Sequence, residues 1–147
     1  MSEDRLWRYI RDGMGPLWEP QRIEYRLTAG IPDVAYSITR HGWLELKYLP
    51  KKPTRGLLKI PHLTDDQRNW AAAHGSRSGL CFILLQVEDS YMLFDWTKSY
   101  MVGRLSYEDH TKIATRFWFK RIHWRELRDA LVSPVVRFRT PVYVDRQ

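Results

Sequence analysis

Long apolar runs are missing from this sequence, and no uninterrupted segment is long enough to span a bilayer. The opening residues, Met-Ser-Glu-Asp-Arg, lack the basic-then-apolar order of a secretion signal. An intracellular, cytoplasmic location without membrane contact is therefore expected. Cysteine is nearly absent. Cys81 is single, so it cannot form an internal disulfide, and it sits in an apolar run. It reads as a small buried hydrophobe in a reducing compartment. The five histidines are scattered, so neither a Cys/His zinc cluster nor a catalytic triad can be argued. There is no P-loop, and no nucleotide cofactor is expected. No internal repeat or low-complexity tract is evident.

Acidic residues are the minority charge. The 24 Lys and Arg outnumber 17 Asp and Glu, giving a net charge of +7 and a pI near 9.7. A basic folded chain suits a polyanionic partner, usually nucleic acid. Apolar residues make up 44% of the 147 positions, which supports a folded core and a single domain over the whole chain. Aromatics reach 14%, with seven Trp, enough to supply both core and base-stacking surfaces.

Ser2 can cap a first helix with Leu6, Trp7 and Ile10 as its apolar stripe, ended by Gly13, Gly15 and Pro16. Gln21 to Leu27 reads as a strand with Ile23, Tyr25 and Leu27 on one face. Leu49 to Leu63 carries three prolines and a glycine, which exclude a regular element across it. Its Lys51, Lys52, Arg55 and Lys59 make it a candidate phosphate-contacting flap; the alternative is a solvated loop that touches nothing. Thr64 and Gln67 have capping-box spacing at the start of a helix reaching about His74, with Trp70 and Ala71 inward. Leu80 to Val87 reads as a strand buried on both faces, and Tyr91 to Trp96 as its hairpin partner. Strands on both sides of the Gln67 helix imply an α/β fold with a central mixed sheet flanked by helices. Beyond Thr97 the pattern weakens. Ser106 to Asp109 caps a short helix or forms a turn. Arg116 to Trp124 reads as an amphipathic strand with core aromatics, with a nucleic-acid contact as the alternative. Trp124 to Leu131 has helical spacing. Arg137 and Arg139 share a parity in an extended tail where they could meet phosphate.

The chain is organised around Gly30 to Lys47. Asp33 follows Pro32 and opens an alternating apolar run; a second run carries Glu45 and Lys47 two positions apart, on one strand face. An odd-length loop centred near Arg40, with Gly42 in a left-handed position, would put Asp33 opposite Lys47 and diagonal to Glu45, roughly 7–8 Å away. A two-residue His41-Gly42 turn would send Asp33 to the other face. Asp33 and Glu45 are hard oxygen donors suited to Mg²⁺ or Mn²⁺.

Gly30-Ile31-Pro32-Asp33 followed by Glu45-Leu46-Lys47 and a Gln-bearing helix resembles the PD-(D/E)XK nuclease superfamily over roughly Ile23 to Gln86. The wording is most similar to its VRR-NUC and junction-resolvase branches, which include small stand-alone phage enzymes; such an origin would mean a host cytoplasm. The resemblance implies a restriction-endonuclease-like core over about residues 18–96, with 97–147 packing on it or contacting DNA. It implies a metal site from Asp33, Glu45, the backbone carbonyl of Leu46 and an upstream glutamate, Glu24, with Glu19 as a rival. Lys47 and Gln67 would then complete the catalytic set. Without the resemblance, Glu24 is a solvent-facing partner of Arg22 or Arg26, Gln67 is a helix cap, and Glu45 and Lys47 are an exposed strand pair. The implied activity is Mg²⁺-dependent endonucleolytic cleavage of DNA, selective for branched structures such as Holliday junctions, by a homodimer. The alternatives are an exonuclease of the same superfamily and a nucleic-acid-binding protein that does not cleave.

Overall fold

The computed structural model describes residues 2–23 and 30–136. Glu24, Arg26, Arg137 and Arg139, and most of the strand expected at Gln21 to Leu27, lie outside the described residues. Among these residues the chain runs α1 (Glu3–Met14), β1 (Glu19–Arg22), β2 (Val34–Ser37), β3 (His41–Leu49), α2 (Asp65–Ser78), β4 (Cys81–Val87), β5 (Ser90–Asp95), α3 (Tyr107–Ile113), β6 (Arg116–Phe119) and α4 (Trp124–Leu131). The strands form one sheet in chain order, with β3 and β4 parallel and every other neighbour antiparallel. This is the mixed α/β sheet expected from the sequence. No helix among the described residues is long and apolar enough to cross a membrane.

Residue parity sorts the sheet into two faces. Leu44 and Leu46 of β3 and Phe82 and Leu84 of β4 pack with Leu6, Ile10 and Met14 of α1 and Leu127, Ala130 and Leu131 of α4. Gly13 permits this layer, since a Cβ there would fall 1.9 Å from the Trp124 ring. The opposite parity, Ile83, Leu85 and Val87, faces a second core, and α2 covers the N-terminal end of that same face through Ala71, Cys81 and Trp96. β4 is buried along its whole length because it is covered on both sides.

The hairpin register departs from the expected one. Ser37 pairs with His41, so the loop is Ile38–Arg40 and its centre is Thr39, one residue earlier than anticipated. Val34 pairs with Leu44, and the next step puts Asp33 across from Glu45 rather than Lys47. Odd loop length, and hence the shared face, is preserved. Gly42 is not the turn residue. It lies inside β3, where a Cβ would sit 2.1 Å from the Tyr36 hydroxyl, and that hydroxyl donates to the Leu131 carbonyl at 2.6 Å.

Three further elements differ from the sequence reading. α2 continues to Ser78, past His74, and stops where Gly79 takes a left-handed φ of 73° and returns its N–H to the Gly75 carbonyl. The segment after β3 is no free flap: Leu58, Ile60 and Leu63 are buried in the second core, and Leu58 N–H donates to the Leu105 carbonyl at 2.7 Å. Lys51, Lys52, Arg55 and Lys59 nonetheless remain exposed on it. In β6 only Trp118 enters the core, while Phe117 and Phe119 are exposed, because β6 is the edge strand and only one parity is covered.

Two buried polar side chains tie the second core together. Arg68 donates to the Leu63 and Val102 carbonyls, both at 2.7 Å. His110 accepts from Gly103 N–H at Nε2 (2.8 Å), which leaves Nδ1 to donate to the Ser106 carbonyl (2.7 Å). Burial lowers the His110 pKa below its ordinary 6.5. The native state therefore holds a neutral ring, and this contribution is complete above the unfolded value and lost as pH falls through the folded one. Thermal unfolding followed by circular dichroism should show a midpoint that drops on acidification below neutrality, with a smaller drop in His110→Gln.

Candidate metal and phosphodiester site

β3 positions the centre of the site. Glu45 and Lys47 project from one face of a strand that is paired on both edges, and both side chains are only 4% exposed. Lys47 Nζ lies 3.0 Å from Glu45 Oε2. The exposed strand pair considered above is therefore excluded. A surface pair contributes about 0–1 kcal/mol, whereas burying two ions costs several kcal/mol each before their attraction offsets it. Fold stability alone gives no reason to put these charges here.

Asp33 reaches the same place because β2 ends early. The Trp43 N–H points to β4, donating to the Leu80 carbonyl. Strand alternation turns the Leu46 N–H the other way, toward β2. Beyond Val34 the chain reaches Pro32, which has no N–H and cannot extend the ladder as a donor. The Asp33 carboxylate takes the open position instead, and its Oδ2 accepts from Leu46 N–H at 2.9 Å. The N–H and C=O of one strand residue point the same way, so the Leu46 carbonyl is aimed past the end of β2, beside Asp33.

α2 supplies the fourth group. Thr64 caps the helix, with its hydroxyl accepting from Gln67 N–H (3.2 Å) and Gln67 Oε1 accepting from Thr64 N–H (3.0 Å). That leaves the Gln67 amide nitrogen, which donates to Glu45 Oε2 at 3.1 Å. The cap and the site contact, competing readings in the sequence, coexist on opposite ends of one amide. Gly30 presses the Asp33 segment against the same helix turn: its φ is 89°, and a Cβ would lie 2.3 Å from the Asp66 carbonyl oxygen.

Glu45 thus has one oxygen with two donors and one, Oε1, that is buried and without a hydrogen-bond partner. Burial, then the neighbouring Asp33 carboxylate, push its pKa from 4.5 up to about 9, against the opposing pull of Lys47. A proton shared with the Asp33 carboxyl contributes to the same rise, and with Glu45 ionised no donor among the described residues reaches Oε1. Two facing carboxyls with an unpartnered buried oxygen fit a hard divalent cation, which would replace the proton. Among the described residues no group of three or more His, Cys, Asp or Glu converges; a cation here would keep several water or substrate oxygens, as Mg²⁺ commonly does. Glu19 is not part of this site: it pairs with Ser37 at the far end of β2. Glu24, the other glutamate of the sequence reading, lies outside the described residues.

Lys51, Lys52, Arg55 and Lys59 lie on the segment that leaves β3 two residues after Lys47. Lys52 backbone N–H donates to Glu88 Oε2 at the β4–β5 turn, and the Lys52 ammonium sits 4.3 Å from the Tyr107 ring centroid. They therefore line the end of the sheet beyond the carboxylates and do not contact them. A feature the sequence did not flag is the half-buried Trp43, which shares the Glu45 face of β3 and packs against Trp70 at 5.0 Å. Its i−2 spacing from Glu45 was the available signal.

A raised carboxylate pKa makes its stability contribution complete below the unfolded value near 4.5 and lost as pH rises toward about 9. In chelator, Glu45→Gln should melt higher than the parent protein at about pH 8, by roughly 3 °C or more, with the difference vanishing near pH 4. Gly30→Ala should destabilise the fold by about 1–3 kcal/mol in denaturant titration, because it combines left-handed strain with a backbone clash.

No family model matches this sequence, and no curated protein matches it. Among solved structures, the chain is similar to a Holliday junction resolvase from the archaeal hyperthermophile Archaeoglobus fulgidus. The two are 13% identical, with a TM-score of 0.41, over 75% of this chain and 95% of that one.

Proposed function

We propose that this protein is a divalent-metal-dependent endonuclease of the PD-(D/E)XK type that hydrolyses DNA phosphodiester bonds, with a preference for branched DNA. The observation that carries the reading is the convergence of Asp33, Lys47 and Gln67 on the buried Glu45, with Lys47 and Gln67 at one carboxylate oxygen and no hydrogen-bond partner at the other. A phosphodiester repels nucleophiles and has a poor leaving oxygen. When bound, Mg²⁺ or Mn²⁺ supplies positive charge at the phosphoryl oxygens and makes water a better nucleophile.

Asp33 and Glu45 Oε1 would hold the ion, with the Leu46 carbonyl beside them and Glu24 as a further proposed ligand. Leu46 N–H fixes the Asp33 carboxylate, and Gln67 fixes Glu45 by its other oxygen. Lys47 cannot bind a cation. Its ammonium, held against Glu45, orients the attacking water and offsets charge as it builds on the phosphate. Lys51, Lys52, Arg55 and Lys59 offer phosphate contacts along the same strand, and the basic net charge favours DNA as the partner. Paired cuts across a junction suit a two-fold dimer.

The test is a cleavage panel of single strands, duplexes, flaps and four-way junctions with Mg²⁺ and Mn²⁺. Cleavage is expected to require the ion and to disappear in Asp33→Asn. In Lys47→Ala it should fall by about 10²–10³. Opening of a covalently closed circle would establish endonucleolytic action; cutting only at ends would make the enzyme an exonuclease. Salt-sensitive binding without cleavage under either ion would leave a DNA-binding protein instead. Calorimetry without DNA provides a separate readout. Mg²⁺ binding should release close to one proton near neutral pH and tighten as pH rises toward about 9, because Glu45 must lose its proton to bind.

A further inference from the structure

β6 exposes two phenyl rings that the hydrophobic core would otherwise claim. Phe117 is 42% and Phe119 60% exposed, while Trp118 between them is buried. The pairing register shows which way the two rings face. Phe117 is opposite Met92, and Phe119 is opposite Ser90. Met92 pairs with Leu85, which pairs in turn with Lys47; Glu45 pairs with Ile83. Cross-strand partners share a face, so both phenyl rings stand on the sheet face that carries the carboxylate pair. Phe119 is three strands from β3, at about 4.8 Å each. Through Ser90, Val87 and Leu49 it is four residues beyond Glu45, at about 3.3 Å each. Roughly 20 Å therefore separates the two positions, and the second core covers the sheet face between them, so a strand reaching both would pass around that core.

Beside Phe119, at the edge of the second core, cations, rings and the carboxylates of Glu88 and Asp89 line the surface. A cavity of about 190 Å³ is lined by Lys52, Glu88, Asp89, Ser90, Tyr107 and Phe119. A second, of about 240 Å³, lies on the other side of Lys52 and Tyr107 and includes Arg55. Lys52 is the shared wall, with its ammonium against Tyr107 and its backbone tied to Glu88. Tyr107 is held in turn by a 2.7 Å hydrogen bond to Ser90. Lys120 lies over the Phe119 ring at 5.6 Å, and its left-handed backbone (φ 71°) is anchored by donation to the Asp89 carbonyl. Arg116 and Arg121 flank the rings and are exposed.

From this arrangement we infer that the Phe117–Phe119 face, with Lys52 and Arg55, is a stacking site for unpaired nucleotides of the DNA substrate. Apolar rings flanked by Lys52, Arg116, Lys120 and Arg121 match bases joined by phosphates, with Glu88 held by the Lys52 N–H beside them, and every base has a face to stack. A second copy of this chain fits less well, since antiparallel pairing of two β6 edges would bring Arg116 of one against Lys120 and Arg121 of the other. The inference rests on the nuclease reading for its substrate class. It adds a source of structure selectivity: paired bases are already stacked and cannot occupy the rings, whereas single-stranded regions at a branch can.

The test is fluorescence anisotropy of labelled oligothymidylate in EDTA, where no cleavage intervenes. Phe119→Ala should weaken binding by about 10-fold, and Phe119→Trp should retain it. Binding within about twofold of the parent protein in Phe119→Ala would overturn the inference, as would a loss that Trp does not restore. Sedimentation of the same variants decides the other occupant: conversion of a dimer to a monomer by Phe119→Ala would assign the face to self-association and overturn the stacking site. Oligothymidylate binding that Phe119→Ala leaves unchanged, with metal-dependent cleavage intact, sinks this inference alone. Absent cleavage with stacking intact sinks the nuclease reading alone.

Discussion

One buried carboxylate organises the molecule. Glu45 sits in the middle of a sheet, on a strand paired on both edges, with Lys47 against one oxygen and no partner at the other. Low dielectric makes each of these interactions strong and each omission costly. An unpartnered oxygen beside a second carboxyl is a poor arrangement for stability, and it is the arrangement a hard cation would complete.

The elements around it limit how far these groups can drift. α2 is pinned at its first turn by the Thr64–Gln67 cap, and the same glutamine fixes Glu45. Pro32 denies β2 another ladder donor, and Asp33 then reaches the strand through its side chain. Gly30 allows the loop to lie directly on the helix backbone. The proline-rich segment after β3 gives up any freedom to move as a flap by burying Leu58, Ile60 and Leu63, and it gains a fixed row of outward cations. Arg68 and His110 satisfy the backbone groups that this irregular packing would leave without partners.

Sheet parity connects the interior to the surface. Register carries the face of Glu45 across β4 and β5 to the two exposed rings of β6. The opposite parity is closed by α1 and α4. One side of the sheet therefore serves packing, and the other combines a second core with a charged interior site and a basic, aromatic rim.

Local sequence was enough for the strand identities of β3, β4 and β5, the capped start of α2 and the shared face of Glu45 and Lys47, since period-2 alternation and cap chemistry act over a few residues. It also gave the odd loop length that keeps Asp33 on that face. Position within the pattern was another matter. The one-residue shift of the hairpin centre, the burial of Gly42 under Tyr36, and the exposure of Phe117 and Phe119 each depend on what packs across from them, and no nearby residue records that. Whether Glu45 and Lys47 were a solvated pair or a buried one was likewise decided by α2 and the strands on either side of β3. Alternation says which residues share a face; only the assembled layers say whether that face meets water.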